Sequence, residues 1–372
     1  MIVLEGKYNQ AVVYADELEA SAQEQIIQLC SQPFVQGSRI RIMPDVHAGA
    51  GCTIGTTMTV TDKVVPNLVG VDIGCGMETT RLTDTRLELQ RLDKVIRQKI
   101  PAGFAIRDKA HDYSQQIDLS ALRCAKAAKL KLDRAYNSLG TLGGGNHFIE
   151  VDQDEDGALY LVIHSGSRHL GLEVAKYYQN LAYQLLAEEE RQGINRALAY
   201  LSGEALADYL HDMRLVQQFA VLNRKAMTKE ILRAMKLEAE SSFTTIHNYI
   251  DLETQILRKG AVSAKSGEQL LIPINMRDGS LVCAGLGNIE WNCSAPHGAG
   301  RLMSRSEAKN SFTVSAFKKA MQGIYTTSVG AATLDECPMA YKDMTAIMAQ
   351  IGETVVVQRI IRPIYNFKAG GE

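Results

Sequence analysis

The sequence predicts an α+β fold in which strand-rich regions near both ends of the chain flank a long helical block. Three observations predict it: short β-branched runs punctuated by glycine over the first 80 residues and again after Gly260, a 3.6-residue apolar period through the middle, and no linker, repeat or low-complexity tract that would divide the chain. At 372 residues with 46% hydrophobic content, one domain over 1–372 has enough apolar material for a substantial core.

Taken in order, IVLEG, AVVYA, SRIRIMPD, TIGTTMTV and NLVGVDIG read as strands separated by turns. From Arg81 the pattern becomes helical, first in LELQRLDKVIRQKIP, which ends at Pro101, then in LSALRCAKAAKLKLDRAY. HFIEV and ALYLVIHSG return to strand around the polar turn DQDEDG. Residues 172–259, with EVAKYYQNLAYQLLAEEERQ and DYLHDMRLVQQFAVLNRKAMTKEILRAM, read as a helical insertion on the sheet. Short strands follow, then a helix over 306–320 and a closing strand in TVVVQRIIRPIYNF.

The formal charge is −2, so any nucleic acid would have to lie in a local basic groove, for which Lys126, Lys129, Lys131 and Arg134 on one helix are candidates. The seven cysteines are dispersed and form no CxxC pair, which argues against a disulfide framework and a zinc ribbon and for a reducing cytoplasm. The N-terminus lacks the pattern of a signal peptide and no apolar stretch reaches spanning length, so no membrane association is expected.

Most of the eight histidines gather in glycine-rich motifs. In 69-VGVDIGCGM-77 an apolar strand runs into a turn carrying Asp72 and Cys75, and 141-TLGGGNHFIEV-151 sets Asn146 and His147 before a strand. In 161-LVIHSGSRHLG-171, His164 ends a strand and Arg168 in the next turn offers a forked donor for phosphate, while His247 lies in 245-TIHNYIDLE-253. Each motif alone is equally a turn with a satisfied core histidine or an inert cysteine. Together, one carboxylate, one thiolate and three imidazoles from Asp72, Cys75, His147, His164 and His247 suit a two-metal centre with a bridging sulfur, manganese being the preferred ion. His111, His169 and His211 read as structural or surface residues.

No P-loop, GxGxxG, GxSxG or HExxH pattern is present. That absence directs attention to 292-NCSAPHGAGRLMSR-305, where small neighbours leave His297 little side-chain cover and Arg301 and Arg305 follow. Such a histidine can attack the α-phosphate of a nucleoside triphosphate, with arginines and a divalent metal offsetting the charge. The alternative is a surface histidine in a glycine turn.

Taken together, MPDVHAGAG, VGVDIGCGM, GTLGGGNHFIEV, HSGSRHLG, HNY, IPINMRDGS, SAPHGAGRLMSR, DECPMAYKD and a lysine near the C-terminus resemble the RtcB family of GTP-dependent RNA ligases through nearly the whole chain. The resemblance implies a single catalytic domain of mixed β-sheets around a central metal pocket. It implies two manganese ions bridged by Cys75, with His147 and His164 on one and Asp72 and His247 on the other. His297 would be guanylylated by GTP, and Asn146, Arg168 and Arg301 would hold phosphates or the RNA end. Glu150, Tyr341 and Lys368 would contact guanine, and Asp45, Gly298, Ala299 and Gly300 would lie at the nucleotide. The implied reaction joins an RNA 2′,3′-cyclic phosphate or 3′-phosphate to a 5′-hydroxyl, in RNA repair or tRNA splicing. The short form of the chain also resembles a bacterial branch associated with peptide-chain release factor H and ribosomal RNA repair. The competing readings are a metal-dependent cyclic phosphodiesterase or phosphatase that does not ligate, and an inactive RNA-binding module.

Overall fold

A computed structural model describes residues 1–369. Two sheets carry the fold. The first has six strands in the spatial order Ile2–Glu5, Gln10–Val13, Ile40–His47, Ile54–Thr59, Ile256–Lys259 and Asn248–Asp251. The second runs Ala239–Ile246, Gly76–Leu82, Leu159–Ser165, Phe148–Gln153, Val355–Lys368, Gly279–Gly285 and Gln269–Asn275, with Tyr325–Thr326 beside the long closing strand. Gln10–Val13 pairs in parallel with Ile40–His47, whereas the six pairings along the main path of the second sheet are antiparallel, so the α+β, mixed-sheet architecture holds. Neighbouring strands share their burial: Ile149, Leu161 and Ile163 belong to one apolar core that also takes in Leu92, Met227 and Ile231 from helices.

The helical region differs from the expected insertion over 172–259. Helices occupy Arg168–Leu185, Glu188–Gly193 and Gly203–Met235, and the last ends where Lys236 adopts the left-handed conformation at φ +60°. From Ala239 the chain is strand. AESSFTTI pairs with Gly76–Leu82, and a single residue, His247, separates it from Asn248–Asp251 in the other sheet. The helix Gly203–Met235 packs against the second sheet and is buried over much of its length.

Three further expectations are corrected. Ala20–Cys30 is a helix within a region read as strands and turns, with Ala22, Ile26, Leu29 and Cys30 as its buried stripe. NLVGVDIG is not a strand: Pro66–Leu68 is one turn of 3-10 helix, and the strand starts after the glycine turn, at Gly76. LSALRCAKAAKLKLDRAY is α-helical only from Leu132, with one 3-10 turn at Leu119–Ala121, because Asp212 takes the Arg123 and Cys124 amides at 2.8 and 2.9 Å and Lys129 turns left-handed at φ +53°. Lys126, Lys129, Lys131 and Arg134 therefore do not share one helix. Among the described residues no helix is long and apolar enough to cross a membrane.

Candidate active site

Four adjacent strands of the second sheet place the motif residues at one end. His247 follows Ala239–Ile246, Cys75 precedes Gly76–Leu82, His164 lies near the end of Leu159–Ser165, and His147 precedes Phe148–Gln153. The register fixes their alignment, with Ile246 opposite Gly76, Met77 opposite His164 and His164 opposite Phe148. The His247 amide also donates to the Cys75 carbonyl at 3.0 Å. Rigid paired strands thus bring together side chains that lie up to 175 residues apart in the chain (Asp72 to His247).

Cys75 Sγ lies 3.5 Å from His147 Nε2 and 3.4 Å from His164 Nε2. Asp72 Oδ2 is 3.1 Å from His147 Nε2, while its Oδ1 accepts from the Ser167 amide at 2.9 Å. That amide is therefore committed to Asp72, not to a bound anion. Gly166 is required here, since a Cβ on it would stand 2.1 Å from Asp72 Oδ1. The ligand atoms fall into two groups, Cys75 with His164 and His247, and Asp72 with Cys75 and His147, each within 4.8 Å. This grouping differs from the expected pairing of His147 with His164 and of Asp72 with His247: Asp72 Oδ2 approaches His147 Nε2, while the His164 ring lies 5.3 Å from that of His147 and 5.2 Å from that of His247. Cys75 is common to both groups.

The donor set fits divalent metal. His147 Nδ1–H donates to the Leu142 carbonyl at 3.0 Å and His164 Nδ1–H to that of Asn146 at 3.1 Å, which directs each Nε2 toward the Cys75 thiol, with His147 Nε2 also within reach of Asp72. His247 Nδ1 is buried with no partner among the described residues, an orphan that a ligating role would explain. Burial, then neighbouring histidines, holds His164 and His247 far below the usual imidazole range, so both are neutral ligands at neutral pH. Burial raises the Asp72 carboxyl, but the bonds from His147 and Ser167 outweigh it and the group stays ionised. Burial and then Asp72 push the Cys75 thiol up, against the pull of Arg224, so in the absence of a cation it keeps its proton.

His297 follows the short strand Ser294–Pro296, and its ring lies 5.0 Å from that of His247. Asp45 is fully buried behind it and accepts from both His297 Nδ1–H at 2.6 Å and the His297 amide at 3.1 Å. In the neutral ring that bond places the proton on Nδ1 and makes Nε2 the lone-pair nitrogen, the tautomer a nucleophile requires. Gly300, at φ +76°, lets the turn close over Asp45, whose carbonyl would lie 2.7 Å from an added Cβ. A cavity of about 230 Å³ opens at His297, lined by Gly298, Ala299, Gly300, Arg301, Asn146, Glu150, Tyr341 and Lys368. Of the residues expected to hold guanine, phosphate and nucleophile, Asn146, Glu150, His297, Gly298, Ala299, Gly300, Arg301, Tyr341 and Lys368 line this one space, whereas Asp45 stands behind the histidine and Arg168 does not line it.

Two residues of that cavity went unseen in the sequence. Glu336, in DECPMAYKD, accepts from Tyr341 OH at 2.8 Å and pairs with Lys368 Nζ at 2.8 Å and Arg305 at 2.8 Å. Burial raises it, but Lys368 and Arg305 bring it below the usual carboxylate range. Of these partners only Tyr341 lies in the same motif, so the sequence carried little signal for Glu336. His47 also lines the cavity, with Nδ1–H donating to the Asp45 carbonyl at 3.0 Å.

A second cavity, about 510 Å³, meets the cluster from the Asp72 and His147 side. Asn146 borders both cavities. Arg168, itself at φ +58°, lines this second one and donates to the Gly103 carbonyl at 2.7 Å and to Thr141 Oγ1 at 3.2 Å. Lys131 and Arg134 are on its wall, whereas Lys126 and Lys129 are not among its lining residues. The exposed ring of Phe104 stands at its rim. His169 is exposed and paired with Glu173 at 3.1 Å; His111 caps a short turn through Tyr113, and His211 bonds Asp212.

The family model described as tRNA-splicing ligase RtcB matches residues 25–369. The chain is 34% identical to the RNA-splicing ligase RtcB of Escherichia coli (strain K12), over 94% of this chain and 95% of that protein. It is 30% identical to the tRNA-splicing ligase RtcB of Aeropyrum pernix, over 95% and 94% respectively. With a match of this extent laid over a buried Asp, Cys and His cluster that fits metal, the chain belongs to the RtcB family.

Proposed function

We propose that this protein is an RNA ligase that joins a 2′,3′-cyclic phosphate or 3′-phosphate end to a 5′-hydroxyl end through GMP carried on His297. The observation that carries the reading is the Asp45–His297 pair, in which a fully buried carboxylate fixes one imidazole nitrogen and turns the other into a cavity rich in phosphate and base partners. The relatives named as RNA- and tRNA-splicing ligases support the reaction class.

In the proposed sequence His297 Nε2 attacks the α-phosphorus of GTP, forming an N–P bond while the bond to the bridging oxygen of pyrophosphate breaks. Asp45 stays hydrogen-bonded to Nδ1–H and offsets the charge that develops on the ring. Glu150, held by Asn366 Nδ2 at 2.5 Å, accepts from the guanine edge, and Tyr341 and Lys368 stand in the same cavity. Arg301 lines the phosphate side. Water opens the cyclic phosphate by adding to phosphorus as the P–O2′ bond breaks; a 3′-phosphate oxygen then attacks the GMP phosphorus as the bond to His297 Nε2 breaks, and the 5′-hydroxyl, losing its proton, displaces GMP from the 3′-phosphate to leave a phosphodiester. Asp72, Cys75, His147, His164 and His247 would hold two divalent ions, with manganese our choice, and these would supply Lewis-acid activation of the phosphoryl oxygens. The second cavity, with Lys131, Arg134 and Arg168 on its walls, would receive RNA beside the cluster.

The test uses GTP labelled at the α-phosphate together with manganese. Acid-labile, alkali-stable label on wild-type protein that is lost in His297→Ala establishes the phosphoramidate. No label on protein shown to hold metal would overturn the nucleotide mechanism and leave a metal phosphodiesterase.

A further inference from the structure

The five candidate ligands come from four separated chain segments, and two adjacent side chains of one buried helix bind all four segments. Asn223 and Arg224, in 221-VLNRKAM-227, are both fully buried in the helix Gly203–Met235. Asn223 Oδ1 accepts from the Gly140 and Thr141 amides at 2.7 and 3.0 Å. Its Nδ2 donates to the Thr141 carbonyl at 3.1 Å, Ser165 Oγ at 3.1 Å and the Gly166 carbonyl at 3.0 Å. This one amide ties the loop that leads to His147 to the turn that follows His164. Arg224 Nη1 donates to the Gly74 and Ser165 carbonyls, each at 2.9 Å, and Nη2 to Thr244 Oγ1 at 3.3 Å. The guanidinium thus ties the Asp72–Cys75 turn to the end of the His164 strand and to the strand that delivers His247.

A helix stripe facing a sheet is ordinarily apolar, and burying a guanidinium is destabilising unless its donors are well matched. Arg224 Nε has no hydrogen-bond partner among the described residues, so the residue is not optimised for stability alone. What the pair does accomplish is convergence: its hydrogen bonds end on backbone or hydroxyl groups within three residues of Cys75, His164 and His247, and on the glycine loop before His147.

We infer that Asn223 and Arg224 are positioning residues of the metal centre, holding the ligand segments in register before any ion binds. Asn223 governs the His147 and His164 segments; Arg224 governs the Asp72–Cys75, His164 and His247 segments. The inference rests on reading the cluster as a metal centre, and the test separates the two.

Cobalt(II) is titrated into wild type, Asn223→Ala, Asn223→Ser, Arg224→Met and Arg224→Lys, following the thiolate charge-transfer band and the d–d bands, with melting curves to select folded variants. Loss of support behind metal ligands is worth about 10- to 100-fold in affinity, and this weakening, with altered bands, is the expected result. A role confined to stability would lower the melting temperature and leave affinity and spectrum of the folded protein unchanged, which would overturn the inference. Failure of wild type to bind cobalt would instead overturn the metal reading. A second measurement needs no variant: the Gly140 and Thr141 amides should be protected from hydrogen exchange in metal-free wild type. Free exchange that stops only when metal is added would show that the clamp forms with the ion and not before it.

Discussion

At the scale of single residues the chemistry rests on how Asp45 and Glu150 are buried. Asp45→Asn keeps an acceptor for His297 Nδ1–H but removes the charge that offsets the developing imidazolium. By analogy with carboxylate-to-amide changes behind catalytic histidines, guanylylation should slow by roughly 10³- to 10⁴-fold with His297 still in place. Rapid-quench measurement of label transfer from GTP checks this, and a drop below tenfold would remove Asp45 from the mechanism. Glu150 titrates in a useful range. Burial raises its carboxyl to about 7, against the Asn366 bond and the Lys368 charge. Below that pH the acid is neutral and accepts poorly from a guanine edge; above it the carboxylate forms. GTP affinity should therefore rise as pH increases through about 7 and level off above it. In Glu150→Gln the rise should vanish, which equilibrium binding of a fluorescent GTP analogue would reveal.

At the scale of elements, strand ends and glycine turns assemble the site, and the walls of the second cavity come from loops and from the helices Leu132–Ser138 and Arg168–Leu185. Lys131 and Arg134 project from the start of the helix Leu132–Ser138 onto a cavity that opens at Asp72 and His147. If RNA phosphates lie there, each charge removed should lower the slope of log affinity against log salt by about 0.7, the single-strand value. Binding of a single-stranded RNA to Lys131→Ala and Arg134→Ala across a salt series tests it, and slopes equal to wild type would place the RNA elsewhere. Two of the strand ends were legible in the sequence, because HFIEV begins after the glycine run that precedes His147 and ALYLVIHSG stops at a glycine just past His164. The partition of ligands between two groups was not, since it depends on strand order: His247 neighbours Cys75 and His164 only because Ala239–Ile246 pairs with Gly76–Leu82. Those strands were hidden because AESSFTTI follows a 33-residue helix without a proline or glycine to mark the change. Asn223 had a usable signal. It falls on the stripe Tyr209, Met213, Val216, Ala220, Met227, where helical spacing demands an apolar residue and a polar one must have buried partners. Glu336 and the failed helix at 119–131 had none as clear, because both are decided by contacts with distant segments such as Lys368 and Asp212.

At the scale of the whole molecule, the cluster lies where the two sheets meet. His247 is the single residue between a strand of one sheet and a strand of the other, and the Asn248 carbonyl accepts from the Gly74 amide at 2.8 Å in the turn that carries Asp72 and Cys75. An ion held by Cys75, His164 and His247 would tether this junction in the native state only, because the unfolded chain scatters its ligands over more than 170 residues (Cys75 to His247). Binding restricted to the folded state stabilises it by RT ln(1 + [L]/Kd), about 2.7 kcal/mol when free metal is 100 times Kd. For a chain of 372 residues, with an unfolding entropy of about 2.1 cal/mol/K per residue, that corresponds to a rise in Tm of roughly 3–4 °C. Adding manganese to chelator-treated protein should produce this shift, and it should grow with the logarithm of metal concentration. The sign of the pH effect follows from the thiol: Cys75 keeps its proton without a cation, so ligation must release it, and the stabilisation should be larger at pH 8 than at pH 6. Calorimetry on wild type and Cys75→Ser separates the possibilities. A metal-induced shift of equal size in the serine variant would mean that the ions bind elsewhere, whereas its loss, with the melting temperature of the metal-free protein little changed, would tie the stability of the sheet junction to the shared sulfur.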